Sequence, residues 1–235
     1  MRSPRRFSPI ARLSLFAFVA LSVAACQTVA GNAVSGPLYG MIYDAEGRPV
    51  ADAAVTLFPG AQGELSTKSD SLGRFSFSDL PFGMIVLRVA KEGYLPFEGE
   101  LSFGQNASVA YVRLLSKSQV LAKAEDAIAR KDWNEANRLV ALALTIDPDD
   151  PISLYVRALV AYLSGADADT CAARVADLEG LVARGFREPF LYLLIADFYQ
   201  FRLLDLAEAA RYLELYLSLR DDQAVRDRLN ALARE

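Results

Sequence analysis

The 235-residue chain contains no histidine, and this excludes every mechanism that needs an imidazole base or an imidazole metal ligand. Only two cysteines occur, Cys26 and Cys171, too few for a disulfide framework or a cysteine-rich zinc site. Glycine-rich phosphate loops and the Gly-x-Ser-x-Gly elbow are also missing, which removes P-loop and nucleophile-elbow chemistry. A carboxylate pair remains as the candidate acid-base machinery, and no pair is singled out by spacing, so no catalytic residue, metal ligand or cofactor is expected. With 53% hydrophobic and 23% charged residues, the chain can build real cores, and wholesale disorder is excluded.

Charge is unevenly distributed. The first 25 residues carry four arginines and no acid, which leaves the remainder at −8 although the whole chain is formally −4. A surface so acidic is unsuited to nucleic acid. The arginines precede an uncharged apolar run, Leu13 to Ala25. At 13 residues it has the length of an export signal and falls short of the roughly 20 that cross a bilayer as a helix. It ends in Val23-Ala24-Ala25-Cys26, which resembles the bacterial lipobox. The resemblance implies that Cys26 is the lipidation site, that residues 1–25 are a removed signal peptide and that the mature chain is lipid-anchored in the cell envelope. Several acyl chains on one residue anchor far more firmly than a single chain, at about 0.8 kcal/mol per buried methylene. Position 27 is Gln rather than Asp, so the expected location is the outer membrane, facing the periplasm. Residues 26–36 hold the lipidated cysteine and a small, polar tether, of which ten residues reach at most about 35 Å.

From Gly36 to Leu115, runs of β-branched, aromatic and aliphatic residues are broken every 8 to 12 positions by turn chemistry. This spacing predicts strands near 38–43, 54–58, 65–69, 74–78, 84–90, 97–103 and 108–115. The words GMIYDAEGRPVADAAVTLF and TKSDSLGRFSFSDLPFGMIVLRVAKEGY resemble the carboxypeptidase regulatory-like domain. That resemblance implies a transthyretin-like, seven-stranded Greek-key β-sandwich over residues 37–115, an accessory module and not a catalyst. Asp44 and Asp70 stand in two of the turns, and their expected work is to accept hydrogen bonds from the turn backbone rather than to bind calcium, which needs six to eight oxygens.

After Ser116 helical spacing takes over, and helices are expected near 117–130, 132–146, 151–164, 168–184, 188–203, 205–219 and 221–233. Pro151 and Pro189, 38 residues apart, stand at first-turn positions where a missing N–H is harmless. Small residues recur at similar intervals, Ala124, Ala158 and Ala196, then Ala136, Ala172 and Ala209, and a helix pair at this period marks an α-solenoid. The unit AKAEDAIARKDWNEANRLVALALTIDP resembles a tetratricopeptide repeat (TPR). Residues 116–235 are therefore expected to be an all-α, TPR-like solenoid of about three units, two of them degenerate. In that family the first helix of each pair lines the concave side, which implies Glu125, Ile128, Tyr155, Leu159, Tyr162, Asp197 and Gln200 as groove candidates. Asp167 reads as a helix cap and Cys171 as a small buried hydrophobe.

The architecture so read is a β-sandwich followed by an all-α solenoid. The leading functional expectation is a lipid-anchored, non-catalytic scaffold that binds a protein partner of the envelope. The alternative is a lipoprotein whose sandwich holds glycan or cell-wall polymer, which clustered exposed aromatics would favour.

Overall fold

A computed structural model describes residues 35–60, 63–105 and 109–234, and Cys26 with its leader lies outside these. Seven strands come first: β1 (Ser35–Tyr43), β2 (Ala54–Phe58), β3 (Leu65–Lys68), β4 (Arg74–Pro81), β5 (Gly83–Ala90), β6 (Phe97–Phe103) and β7 (Ala110–Arg113). They divide into a three-stranded sheet, ordered β4-β1-β7, and a four-stranded sheet, ordered β3-β2-β5-β6. All pairings are antiparallel except β1 with β7, which run parallel. Alternation drives the assembly: Leu38 and Ile42 point inward from β1, Phe75 and Phe77 from β4, Val55 and Leu57 from β2, and one hydrophobic cluster gathers the inner faces of both sheets.

β1 begins earlier than the spacing predicts, and β4 ends later. Pro37 supplies no N–H to a ladder, so the β1–β4 register shifts between Gly36 and Leu38 and pairing resumes at Ser35 with Pro81. Gly40 is the one position of β1 where an inward side chain has no room, because the Phe75 ring occupies the space a Cβ would need.

Two turns are built alike. Asp44 Oδ1 accepts from the N–H groups of Glu46 (3.0 Å) and Arg48 (2.9 Å), while Oδ2 meets Arg48 Nε at 2.7 Å. Asp70 repeats the pattern with Leu72 (2.9 Å), Arg74 N–H (2.9 Å) and Arg74 Nε (2.9 Å). Gly47 and Gly73 hold φ of 79° and 73° at equivalent places, a conformation open to glycine at little cost. Both aspartates thus act on the turn backbone.

Helices fill the rest: α1 (Lys117–Ala129), α2 (Trp133–Ile146), α3 (Pro151–Ser164), α4 (Ala168–Ala183), α5 (Pro189–Phe198), α6 (Leu206–Leu219) and α7 (Gln223–Leu232). All fall within a residue or two of the expected spans, except that α5 passes into a π-helical turn over Tyr199–Leu203. Side chains cap nearly every start: Ser116 and Gln119 form a reciprocal capping box on α1, and Asp132, Asp150, Asp167, Asp205 and Asp222 cap the starts of α2, α3, α4, α6 and α7. Pro151 and Pro189 open α3 and α5 in their first turns. The helices bury two clusters. One joins α1, α2 and the Val156/Val160 side of α3, and the other joins the Leu154/Ala158 side of α3 to α4 through α7. Cys171 is fully buried in the second, its thiol pushed up by burial.

The junction is short. Lys117 N–H donates to Gly93 O at 2.9 Å, Leu95 N–H to Leu115 O at 2.8 Å, and Leu95 and Leu115 pack against the first helical cluster.

A candidate binding cleft between α3 and α5

Tyr155, Leu159 and Tyr162 stand four and three residues apart and share one stripe of α3. On α5 spacings of three and four place Phe190, Leu193 and Asp197 on one stripe, and the two stripes face each other across a cleft of about 280 Å³. Tyr155 meets Phe190 edge-on, ring centroids 4.7 Å apart at 75°, and Tyr162 meets Phe198 similarly at 5.4 Å. Tyr155, Leu159 and Tyr162 are half-buried. Leu163 and Phe190, at the rim, are 46% and 37% exposed.

The helices are fixed from behind. Asp150 caps α3 through Ser153 N–H at 2.8 Å and also accepts from Lys117 Nζ at 2.7 Å, which reaches Asp147 at 3.0 Å as well. Gly165 ends α3 in the left-handed conformation. Arg202, delivered by the π-turn, donates to Tyr162 O at 2.6 Å and lays its guanidinium 5.1 Å from the Tyr162 ring centre.

Among the described residues one carboxylate, that of Asp197, borders the cleft. Burial pushes the Asp197 carboxyl above the ordinary range, against the pull of Arg228, whose Nη1 lies 2.7 Å away. Arg228 Nε also donates to Gln200 Oε1 at 2.6 Å. Burial and then the Asp197 charge raise the phenol pKa values of Tyr155 and Tyr162. Both hydroxyls are neutral donors at physiological pH, and the cleft is an aromatic and aliphatic surface whose single anion already has a counter-ion.

Four of the seven residues singled out from sequence, Tyr155, Leu159, Tyr162 and Asp197, line this cleft, and Gln200 joins it through Arg228. Glu125 is exposed on α1, and Ile128 packs into the first helical cluster, so neither reaches it. Phe190, Leu193 and Arg228 were not anticipated. Stepping back seven residues from Asp197 finds Phe190; nothing local announces Arg228, since α7 meets α5 only through the tertiary fold. Among the described residues no three His, Cys, Asp or Glu side chains group as metal ligands.

Residues 37–114 match the family model of the carboxypeptidase regulatory-like domain. No curated protein matches the chain. Among solved structures, the helical region is similar to the first TPR of Spaghetti (RPAP3), bound there to an HSP90 peptide. The two share 18% identity at TM-score 0.44, over 50% of this chain and 90% of that one. The Sgt2 TPR domain from Aspergillus fumigatus gives 21% identity and TM-score 0.44 over 50% and 77%. A streptococcal ancillary pilin gives 18% identity and TM-score 0.29 over 35% of this chain, which spans only 29% of the pilin.

Proposed function

We propose that this protein is a lipid-anchored, non-catalytic scaffold of the bacterial cell envelope that grips a segment of a partner protein in the cleft between α3 and α5. The cleft itself carries the reading. It presents half-buried tyrosines and leucines at helical spacing on two helices, α3 capped by Asp150 and α5 opened by Pro189, and aromatic anchors held on rigid elements supply most of the energy of protein interfaces. The partner is accordingly a segment with apolar side chains at helical or extended spacing. Lipidation at Cys26 and a periplasm-facing outer-membrane location rest on the amino-terminal motif, and with them the scaffold works close to a membrane surface.

The cleft is tested by placing a photo-crosslinking amino acid at the rim position Leu163 and, as a control, at Ala176, exposed on α4. An adduct from position 163 alone, lost when Phe190→Ala or Tyr155→Ala is added to a protein that remains folded, is the expected result. Folded variants that keep every wild-type adduct would remove the cleft from the reading. Labelled palmitate tests the anchor separately: incorporation and membrane retention should vanish in Cys26→Ser, and an unlabelled wild type would leave the cleft without its tether.

A further inference from the structure

Among the described residues, the three-stranded sheet is covered on one side only. Its inward side chains are buried, and its outward ones form a second concentration of aromatic surface. On the central strand β1, Tyr39, Met41 and Tyr43 alternate outward with the buried Leu38 and Ile42. The β1–β7 register sets Met41 beside Tyr111 and Tyr43 beside Arg113, and the β1–β4 register sets Met41 beside Arg74 and Tyr39 beside Ser76. Tyr39 and Tyr111 are 59% and 62% exposed, levels at which a tyrosine ring contributes little to a core. Tyr43 and Tyr111 sit 6.3 Å apart with their rings tilted. Beside them opens a cleft of about 570 Å³ floored by Met41, Tyr43 and Tyr111 and walled by Leu72, Pro49 and Arg74, inside the span of about 300–1,000 Å³ typical of small-ligand sites.

Charge narrows the occupant. Among the described residues no carboxylate lines the cleft, although acids outnumber bases 29 to 25 in the chain. The cations at its border are two arginines with different duties. Arg74 is committed to Asp70 at 2.8 Å. Arg113 pairs with no carboxylate among the described residues, and its guanidinium is held over the Tyr43 ring at 5.5 Å, poised beside the aromatic floor. A sugar ring presents C–H groups on its face and hydroxyls at its rim, which suits flat aromatic rings flanked by serine and arginine donors. A guanidinium without a partner adds a fork for a carboxylate.

We propose that the outward face of the β4-β1-β7 sheet binds an acidic polysaccharide, its pyranose rings stacked on Tyr39 and Tyr111 and a uronate carboxylate held by Arg113. The site is independent of the α3–α5 cleft. It would let one chain hold an envelope polymer and a protein segment at once.

Native electrophoresis of the intact chain through gels containing polygalacturonate, and in parallel neutral dextran, tests it. Retardation by polygalacturonate and not by dextran is expected, weakening with added salt. Tyr39→Ala combined with Tyr111→Ala should lower the affinity at least tenfold, and Tyr111→Phe should restore the Tyr111 contribution. Arg113→Gln leaves both rings in place and should flatten the salt dependence. The proposal falls if polygalacturonate does not retard the chain, if dextran retards it equally, or if the folded double variant and Arg113→Gln both bind as wild type does. A concentration-dependent dimer abolished by Tyr111→Ala, with no polymer bound, would assign the face to a second copy of the chain instead.

Discussion

The strand region and the helical region use charge at different ranges. Among the strands, the ion pairs that shape the backbone are local: Asp44 with Arg48 and Asp70 with Arg74, each four residues apart and each closing a turn. Among the helices, surface pairs such as Glu135 with Arg138 are also local, but those that position one helix on another are long-range. Lys117 reaches Asp147 and Asp150, Arg157 reaches Asp177, and Arg184 reaches Asp149, across 20 to 35 residues of sequence. Sheets obtain their non-local order from backbone ladders, so side-chain charge is free to fix turns. Helices satisfy their backbones internally, and their relative placement falls to side chains.

The sharpest test of the local half lies in the twin turns. Gly73→Ala should destabilise the protein by about 3 kcal/mol or more, because positive φ is compounded by a Cβ driven into the carbonyl oxygen of Ile42. Gly47→Ala shares the φ and meets nothing, and should cost about 1–2 kcal/mol. Equal losses in denaturant titration would show that conformation alone, without the neighbouring strand, governs these turns.

Next in size is Asp44→Ala, at about 1–3 kcal/mol, since it strips two N–H groups of their acceptor at a position 2% exposed. Asp70→Ala should cost less, its side chain being 43% exposed. At Asp44, burial pushes the pKa up and is outweighed by the Arg48 N–H, the Arg48 guanidinium and the Glu46 N–H. Asp70 is lowered chiefly by the Arg74 side chain and N–H. A carboxyl whose folded pKa is depressed contributes fully above its ordinary 3.8 and loses that contribution as pH falls through the lower folded value. Acid titration should therefore destabilise the wild type below about pH 4, and the Asp44→Ala variant less steeply.

The non-local half is tested by Lys117→Met, at about 1–2 kcal/mol, between an exposed pair and a fully buried one. The hydrogen bond that Lys117 donates to Asp150 leads the forces that raise the Lys117 pKa. Its contribution is complete below the ordinary 10.5 and disappears as pH rises through the higher folded value. Hydrogen exchange should accelerate in α1 and at the start of α3 while β1 and β5 keep their protection. Uniform acceleration would mean that the two regions do not divide the work of charge in this way.

The same division explains what could be read from sequence. Turn chemistry and helical spacing are local, and the strand and helix limits followed from them to within a few residues; the exceptions were the ends of β1 and β4, where the proline-induced register shift depends on the partner strand. The Asp167 cap and the turn roles of Asp44 and Asp70 were equally plain. Tyr155, Leu159 and Tyr162 were legible as a stripe, but whether a helical stripe faces a core or a cleft depends on what lies opposite, here Phe190 and Leu193. Glu125 and Ile128 fell outside because knowing that a first helix faces the groove does not say which of its turns does. The outward tyrosines of β1 follow from alternation, yet their meeting with Tyr111 and Arg113 required the parallel pairing of β1 with a strand some seventy residues later.

α3 belongs to both helical clusters, Val156 and Val160 to one and Leu154 and Ala158 to the other. It therefore works as a hinge pin. If α3 loosens, the α1–α2 pair and the α4–α7 group lose the helix that both pack against, so the two should separate before either melts. The cleft tyrosines ride on this pin, and a partner segment wedged against them would stiffen the joint as well as fill a groove. Pulling on the chain with the cleft occupied should then require more force to part the two helical groups than pulling with it empty.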